Sequence, residues 1–252
     1  MKKVNKKEKL DKKNDDEFLS KEWIVSNAKT IFFAILIALF IRTFFFQPFF
    51  IPTSSMVPTL LIGDRLFASK YDYGFSRNSL PFRLPLIEER KLVLKLPQRG
   101  DIIIFKPPHE NRDFIKRLVG LPGDEIKTMN GYLYINSIKV EKNFSHKDKT
   151  GADIYEEILP NGVKYLTRDT GYWPNERQDE HSGTKVPEGH YFFMGDNRDR
   201  SSDSRSWGTV PFKRIVGKAQ IIFFSTKDGS KMYEIWKWPF GVQYKRLFNS
   251  IN

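Results

Sequence analysis

Hydrophobic residues follow two different patterns along this chain, and the change falls near Phe46. Apolar residues crowd residues 28–46 with only Lys29 and Arg42 as charges, one near each end, and the centre at residues 31–41 has none. A bilayer requires about 20 such residues in helical form, and a long basic stem near either end can reach the polar interface. A membrane-spanning helix is therefore expected over residues 23–46. After Phe50 helical periodicity is lost. Short apolar runs at residues 66–67, 102–105, 114–119, 133–135, 191–194 and 215–224 alternate with Arg-Gly-Asp, Leu-Pro-Gly-Asp, Met-Asn-Gly and Gly-Asp-Asn turns, the pattern of short strands joined tightly. The expected class is mainly β, an antiparallel sheet following one N-terminal transmembrane helix.

The polarity of the remaining segments divides the chain further. Residues 1–22 form a polar tail with lysines crowded at its start, expected to be solvated. Residues 127–186 turn polar and rich in tight-turn pairs, Asn130-Gly131, Asn161-Gly162 and Ser182-Gly183, and read as a smaller β lobe inserted between core segments 47–126 and 187–252. The end of the chain is aromatic and basic around Trp236 and Tyr244, which suits either a membrane interface or a closing strand. No small-x-small cleavage site follows the apolar centre, so the anchor is read as uncleaved. Lysines before the span then hold the N-terminus in the cytoplasm and place the rest on the far side of a bacterial inner membrane, in a single pass.

Composition narrows the chemistry. A net charge of +12 favours an anionic partner, and beside an anchor an anionic phospholipid surface explains it without nucleic acid. The absence of cysteine removes thiolate nucleophiles and thiolate metal sites. The four histidines, His109, His146, His181 and His190, show no metal-ligand spacing, and no metal or other cofactor is expected.

Three stretches carry candidate chemistry. Pro52-Thr-Ser-Ser-Met-Val-Pro-Thr59 follows the span closely, and its prolines impose a stiff, extended backbone that displays hydroxyls. Taken alone it also fits a linker leaving an anchor. In residues 113–124, strand alternation sets Phe114, Lys116 and Leu118 on one face and Ile115, Arg117 and Val119 on the other. Lys116 among apolar neighbours would lose its proton readily, whereas on an edge strand it would be an ordinary surface cation, a role that suits Arg117 better. Residues 194–211 pack Asp196, Asp199, Asp203, Arg198, Arg200 and Arg205 between glycines. Without calcium-loop spacing, the stretch reads as a hydrogen-bonded structural knot rather than a cation site.

Four blocks in order carry a resemblance: Ser-x-Met-x-Pro-Thr after an anchor, Arg-Gly-Asp-Ile-x-x-Phe, Phe-Ile-Lys-Arg-x-Val-Gly-Leu-Pro-Gly-Asp, and Gly-Asp-Asn-Arg-Asp-x-Ser-x-Asp-Ser-Arg. Together they resemble the bacterial type I signal peptidases, membrane-bound serine peptidases with a Ser/Lys dyad that act on signal-peptide-bearing pre-proteins. The resemblance implies Ser55 as nucleophile and Lys116 as general base, with the Ser55 N–H and Thr53 hydroxyl as oxyanion hole. It implies Ser201 as the residue orienting the lysine, backed by Asp196, Asp203 and Arg205. Two shallow apolar substrate pockets are implied without charged groups, one at Met56, Leu60, Phe114 and Ser202, the other at Phe49, Ile51, Ile104 and Ile115. Thr53 and Arg200 depart from the usual serine and asparagine. Two other classes share parts of this pattern: a membrane-tethered β domain that binds exported chains without cutting them, and the Ser/Lys autoproteolytic repressors, which lack an anchor and carry a DNA-binding module.

Overall fold

A computed structural model describes residues 21–78, 90–171, 180–227, 234, 236 and 238–251. Most of the expected solvated tail, part of the expected lobe and part of the aromatic, basic C-terminal stretch lie outside the described residues. The chain forms two units, Met1–Phe44 and Phe45–Asn252.

In the first unit, helix α1 (Lys21–Phe44) has no apolar stripe, its hydrophobic side chains being distributed all round the axis. Its stretch Val25–Phe44, with mean hydropathy 1.7, is long and apolar enough to cross a membrane. The helix ends two residues before the limit expected from sequence. Pro48 is the reason: it pushes Gln47 toward extended backbone and cannot itself sit inside a helix, so Phe46 already belongs to a strand.

The second unit is built from β1 (Phe46–Phe50), β2 (Asp64–Ser69), β3 (Ile102–Phe105), β4 (Phe114–Gly120), β5 (Glu125–Met129), β6 (Tyr132–Ile135), β7 (Ile138–Lys139), β8 (Glu141–Lys147), β9 (Asp153–Ile158), β10 (Lys164–Asp169), β11 (His181–Lys185), β12 (His190–Met194), β13 (Val210–Pro211) and β14 (Ile215–Ser225). The principal antiparallel sheet has the order β1-β2-β14-β3-β4-β12-β13. β1 forms one edge, where Pro48 costs no ladder bond on the open side. β14 bends through three register shifts, one against β3 and two against β2; its first residues pair with β3 and its later ones with β2, and the sheet curls around a core. Strand β3 shows the consequence of alternation: Ile102 and Ile104 enter one cluster with Ile51, Met56, Leu60 and Val216, while Ile103 and Phe105 enter another with Leu118 and Phe193. Both faces are buried, hence the uninterrupted Ile-Ile-Ile-Phe run.

The remaining strands make two small sheets, β11-β5-β6-β7 and β10-β9-β8. Their own core gathers Ile126, Leu133, Ile135, Leu159 and Tyr165 against Val119 and Phe192 of the principal sheet.

Candidate active site

Residues 51–63 leave β1 in an irregular turn and return to β2. Ile51 N–H donates to the Asp64 carbonyl (2.9 Å), Gly63 N–H donates back to Ile51 (3.0 Å), and Leu60 N–H donates to Met56 (2.8 Å). Met56 and Leu60 have no exposure, so their burial pins the turn from beneath and leaves Ser55 at its inner face. Full burial of two such side chains contributes roughly 1.5–3 kcal/mol each.

β4 brings Lys116 to the same place. Its Nζ lies 2.5 Å from Ser55 Oγ with both residues buried, and the Phe114 ring centroid stands 5.7 Å from Nζ. Burial lowers the lysine pKa to about 8; Asp203 and Asp196 pull it upward, and Arg205 pushes it further down. At pH 7 roughly a tenth of such amines are unprotonated, against less than about a thousandth for an unperturbed lysine.

Arg117 does not take the surface position anticipated for it. β4 lies inside the sheet between β3 and β12, and Arg117 is 1% exposed. Its Nε and Nη2 donate to the two Asp196 oxygens at 2.9 Å each, Nη1 donates to the Gly100 carbonyl at 2.8 Å, and the guanidinium lies 4.3 Å from the Tyr165 ring centroid. A buried guanidinium in this setting survives only because every side of it is occupied.

The loop after β12 closes the site from the third side. Asn197 N–H donates to the Ser55 carbonyl (3.1 Å) and its Nδ2 to the Ser54 carbonyl (3.0 Å), while Asp196 accepts the Thr59 hydroxyl at 2.5 Å. The loop thus grips the serine turn at three residues. A Cβ at position 195 would run into Ser201 Oγ and stand 2.5 Å from the Ser55 carbonyl oxygen, so only glycine fits. Asp203 caps the short helix α2 (Ser204–Trp207), accepts from Gly195 N–H at 2.9 Å and pairs with Arg205. Burial alone would raise the Asp203 pKa, but the Arg205 guanidinium outweighs it and holds the carboxyl below its ordinary range. Behind the loop, Arg198 meets the Glu157 carboxylate at 2.7 and 2.6 Å and the Tyr165 hydroxyl at 2.9 Å.

Ser201 is buried next to this cluster, and its hydroxyl helps to lower the Asp203 pKa. No hydrogen bond joins it to Lys116. Thr53 is exposed on the rim of a cleft of about 420 Å³ whose base holds Ser55 and Lys116. Phe49, Ile51, Ile104, Phe114, Ile115 and Ser202 line that cleft. Met56 and Leu60, expected in the pocket walls, are instead sealed in the core below, where their size serves packing. The expectation of an uncharged cleft also needs correction: Arg112, Asp113 and Arg200 stand in its lining.

Residues 21–224 match the family described as "Signal peptidase, peptidase S26". The chain belongs to this peptidase family. It is 38% identical to a signal peptidase I of Rickettsia bellii over 94% of this chain and 88% of that one, and 41% identical to a signal peptidase I of Rickettsia akari over 95% and 96%. A solved signal peptidase I from Enterococcus faecalis, 32% identical, covers 49% of this chain and 97% of its own, with TM-score 0.32. The family match and the two Rickettsia relatives make the chain a bacterial type I signal peptidase, a serine endopeptidase.

Several residues that build this site were missed from sequence. Asn197 lay in a Gly-Asp-Asn stretch that reads as turn chemistry, Thr59 at the end of a proline segment, and Arg117 beside a more conspicuous lysine. Glu157 gave no signal at all: its partner Arg198 lies 41 residues away.

Proposed function

We propose that this signal peptidase cuts N-terminal signal peptides from exported pre-proteins after a small residue, with Ser55 as nucleophile and Lys116 as general base. The observation that carries this reading is the 2.5 Å separation of Lys116 Nζ and Ser55 Oγ in a buried setting that disfavours ammonium. With the amine neutral, the hydroxyl donates to Nζ. Oγ attacks the scissile carbonyl as its proton passes to lysine. The Ser55 N–H, which no described group accepts, and the Thr53 hydroxyl meet the oxyanion. The ammonium then protonates the departing amine. In the second half, Lys116 takes a proton from the water that attacks the acyl-enzyme and returns it to Oγ as the bond between the acyl carbon and Oγ breaks, releasing Ser55. Asp196, Asp203 and Arg205 keep the loop in place, and Ser201, packed against Gly195 of that loop, supports the lysine site without a hydrogen bond to the amine.

The sheet offers a docking edge for an extended substrate. β12 pairs with β4 only from Arg117 to Gly120, so Phe114, Ile115 and Lys116 are paired on the β3 side alone. A precursor laid there adds a strand and sends alternate side chains toward Phe49, Ile51, Ile104 and Ile115. In this arrangement α1 is the single membrane anchor, with the N-terminus in the cytoplasm of a bacterial cell, the peptidase unit beyond the inner membrane, and an anionic phospholipid surface meeting the basic chain.

The test is a solubilised protein given a signal-bearing precursor in which only the residue before the cut varies. Alanine is expected to be cut well, with the new amino terminus directly after it, and leucine, phenylalanine and lysine poorly, since a large side chain clashes and a lysine finds Asp113 already paired with Lys106 and Arg200 of like charge in the lining. Efficient cutting after phenylalanine or lysine would remove this reading.

A further inference from the structure

The charges around the cleft are not balanced. Asp113 is taken by Lys106 Nζ at 2.5 Å. Arg112 pairs with Glu110 at 2.6 Å and lies 5.6 Å from the Phe114 ring centroid. Lys116 is engaged by Ser55. Asp199, next to Arg200 in the chain, turns away and accepts the Thr170 N–H at 2.5 Å and its hydroxyl at 2.6 Å. Arg200 alone among the ionisable side chains of the cleft has neither an ion pair nor a hydrogen bond among the described residues, and it is exposed.

We propose that Arg200 is a specificity-determining residue that selects substrates carrying an acidic side chain within two residues of the scissile bond. The proposal rests on the peptidase reading above and deepens it. An extended chain sends every second side chain toward the apolar wall, and the intervening ones face away from it, toward the rim. A carboxylate there would complete an unpaired guanidinium, whose planar fork suits two parallel hydrogen bonds. A lysine in the same place would meet like charge, with Asp113 already neutralised by Lys106. Single exposed ion pairs change an equilibrium by roughly two- to fivefold. Replacing attraction by repulsion at one position therefore changes it by roughly five- to tenfold.

The experiment uses peptides with alanine at the first and third residues before the cut. Aspartate, alanine or lysine is placed in turn at the second residue before the cut and at the first and second after it. Values of kcat/KM are measured for the wild type, Arg200→Ala and Arg200→Glu. At one or more positions the wild type is expected to favour aspartate over lysine by roughly five- to tenfold, a ratio that shrinks as salt is raised. Arg200→Ala should bring the ratio near one and Arg200→Glu should invert it. Both variants should keep the wild-type thermal midpoint, because the side chain has no bond to lose. A wild-type ratio near one at all three positions, or an unchanged ratio in Arg200→Glu, overturns the proposal. In either case cutting of the all-alanine peptide leaves the peptidase reading intact. Failure to cut any peptide overturns both.

Discussion

Two adjacent serines make unequal contributions at the residue scale. Ser55 presents Oγ to Lys116, whereas Ser54 offers its carbonyl to Asn197 Nδ2 and to Val57 N–H. Ser55→Ala is expected to abolish precursor cleavage while preserving the fold, and Ser54→Ala to keep substantial activity, as gel-based cleavage assays would show. The reverse ranking would move the nucleophile by one residue. Lys116 illustrates how far sequence reasoning reaches. Strand alternation places it among apolar residues, and its displaced pKa follows from that burial. Its neighbour Arg117 obeys the same alternation, yet its burial depends on Asp196, 79 positions away, and no local pattern announces a partner so distant.

Among the elements, the decisive one is the loop between β12 and α2, which holds the serine turn by its carbonyls. Asn197→Ala removes one of those hydrogen bonds, costing about 1 kcal/mol of stability. It also frees the carbonyl that fixes the direction of the Ser55 N–H. Turnover is expected to fall roughly ten- to a hundredfold with little change in KM, since small displacements of a nucleophile are costly. Steady-state kinetics beside a thermal scan separate this from simple unfolding: equal losses in both variants Asn197→Ala and Asn197→Asp, with a thermal midpoint lowered by only about 2–4 °C, fit the positioning role, and unchanged kcat contradicts it. The strands themselves were legible because their apolar runs lie between glycine and proline turns. β1 is not legible as a strand, since its Phe-Gln-Pro-Phe-Phe continues the apolar character of the preceding span and its pairing with β2 is visible only in three dimensions.

At the scale of the molecule, an apolar helix and a compact β unit occur in one chain. If the helix serves as anchor, it confines enzyme and precursor to one surface and raises their encounter frequency without any new contact. A chain beginning at Phe45 is expected to retain cleavage of short peptides and to lose efficiency on precursors embedded in vesicles. Equal efficiency on both substrates would argue against a role for the anchor. The two-part plan was legible from the change in hydrophobic pattern. The pairing of the smaller sheets with the loop after β12 was not, because it runs through Arg198, Glu157 and Tyr165, polar residues whose burial nothing in the local sequence reveals.

The activation of Ser55 by a neutral Lys116 is tested most directly by the rate at which an acylating reagent labels Ser55 as pH is varied. The amine accepts a proton only when uncharged, and its pKa in the folded protein is about 8, so labelling is expected to rise with pH through that value and level off above it. Lys116→Arg, whose guanidinium stays protonated, should show no such rise and almost no labelling. A wild-type rate that climbs only near the free-lysine value of about 10.4, or an arginine variant labelled as fast as the wild type, would contradict the assignment.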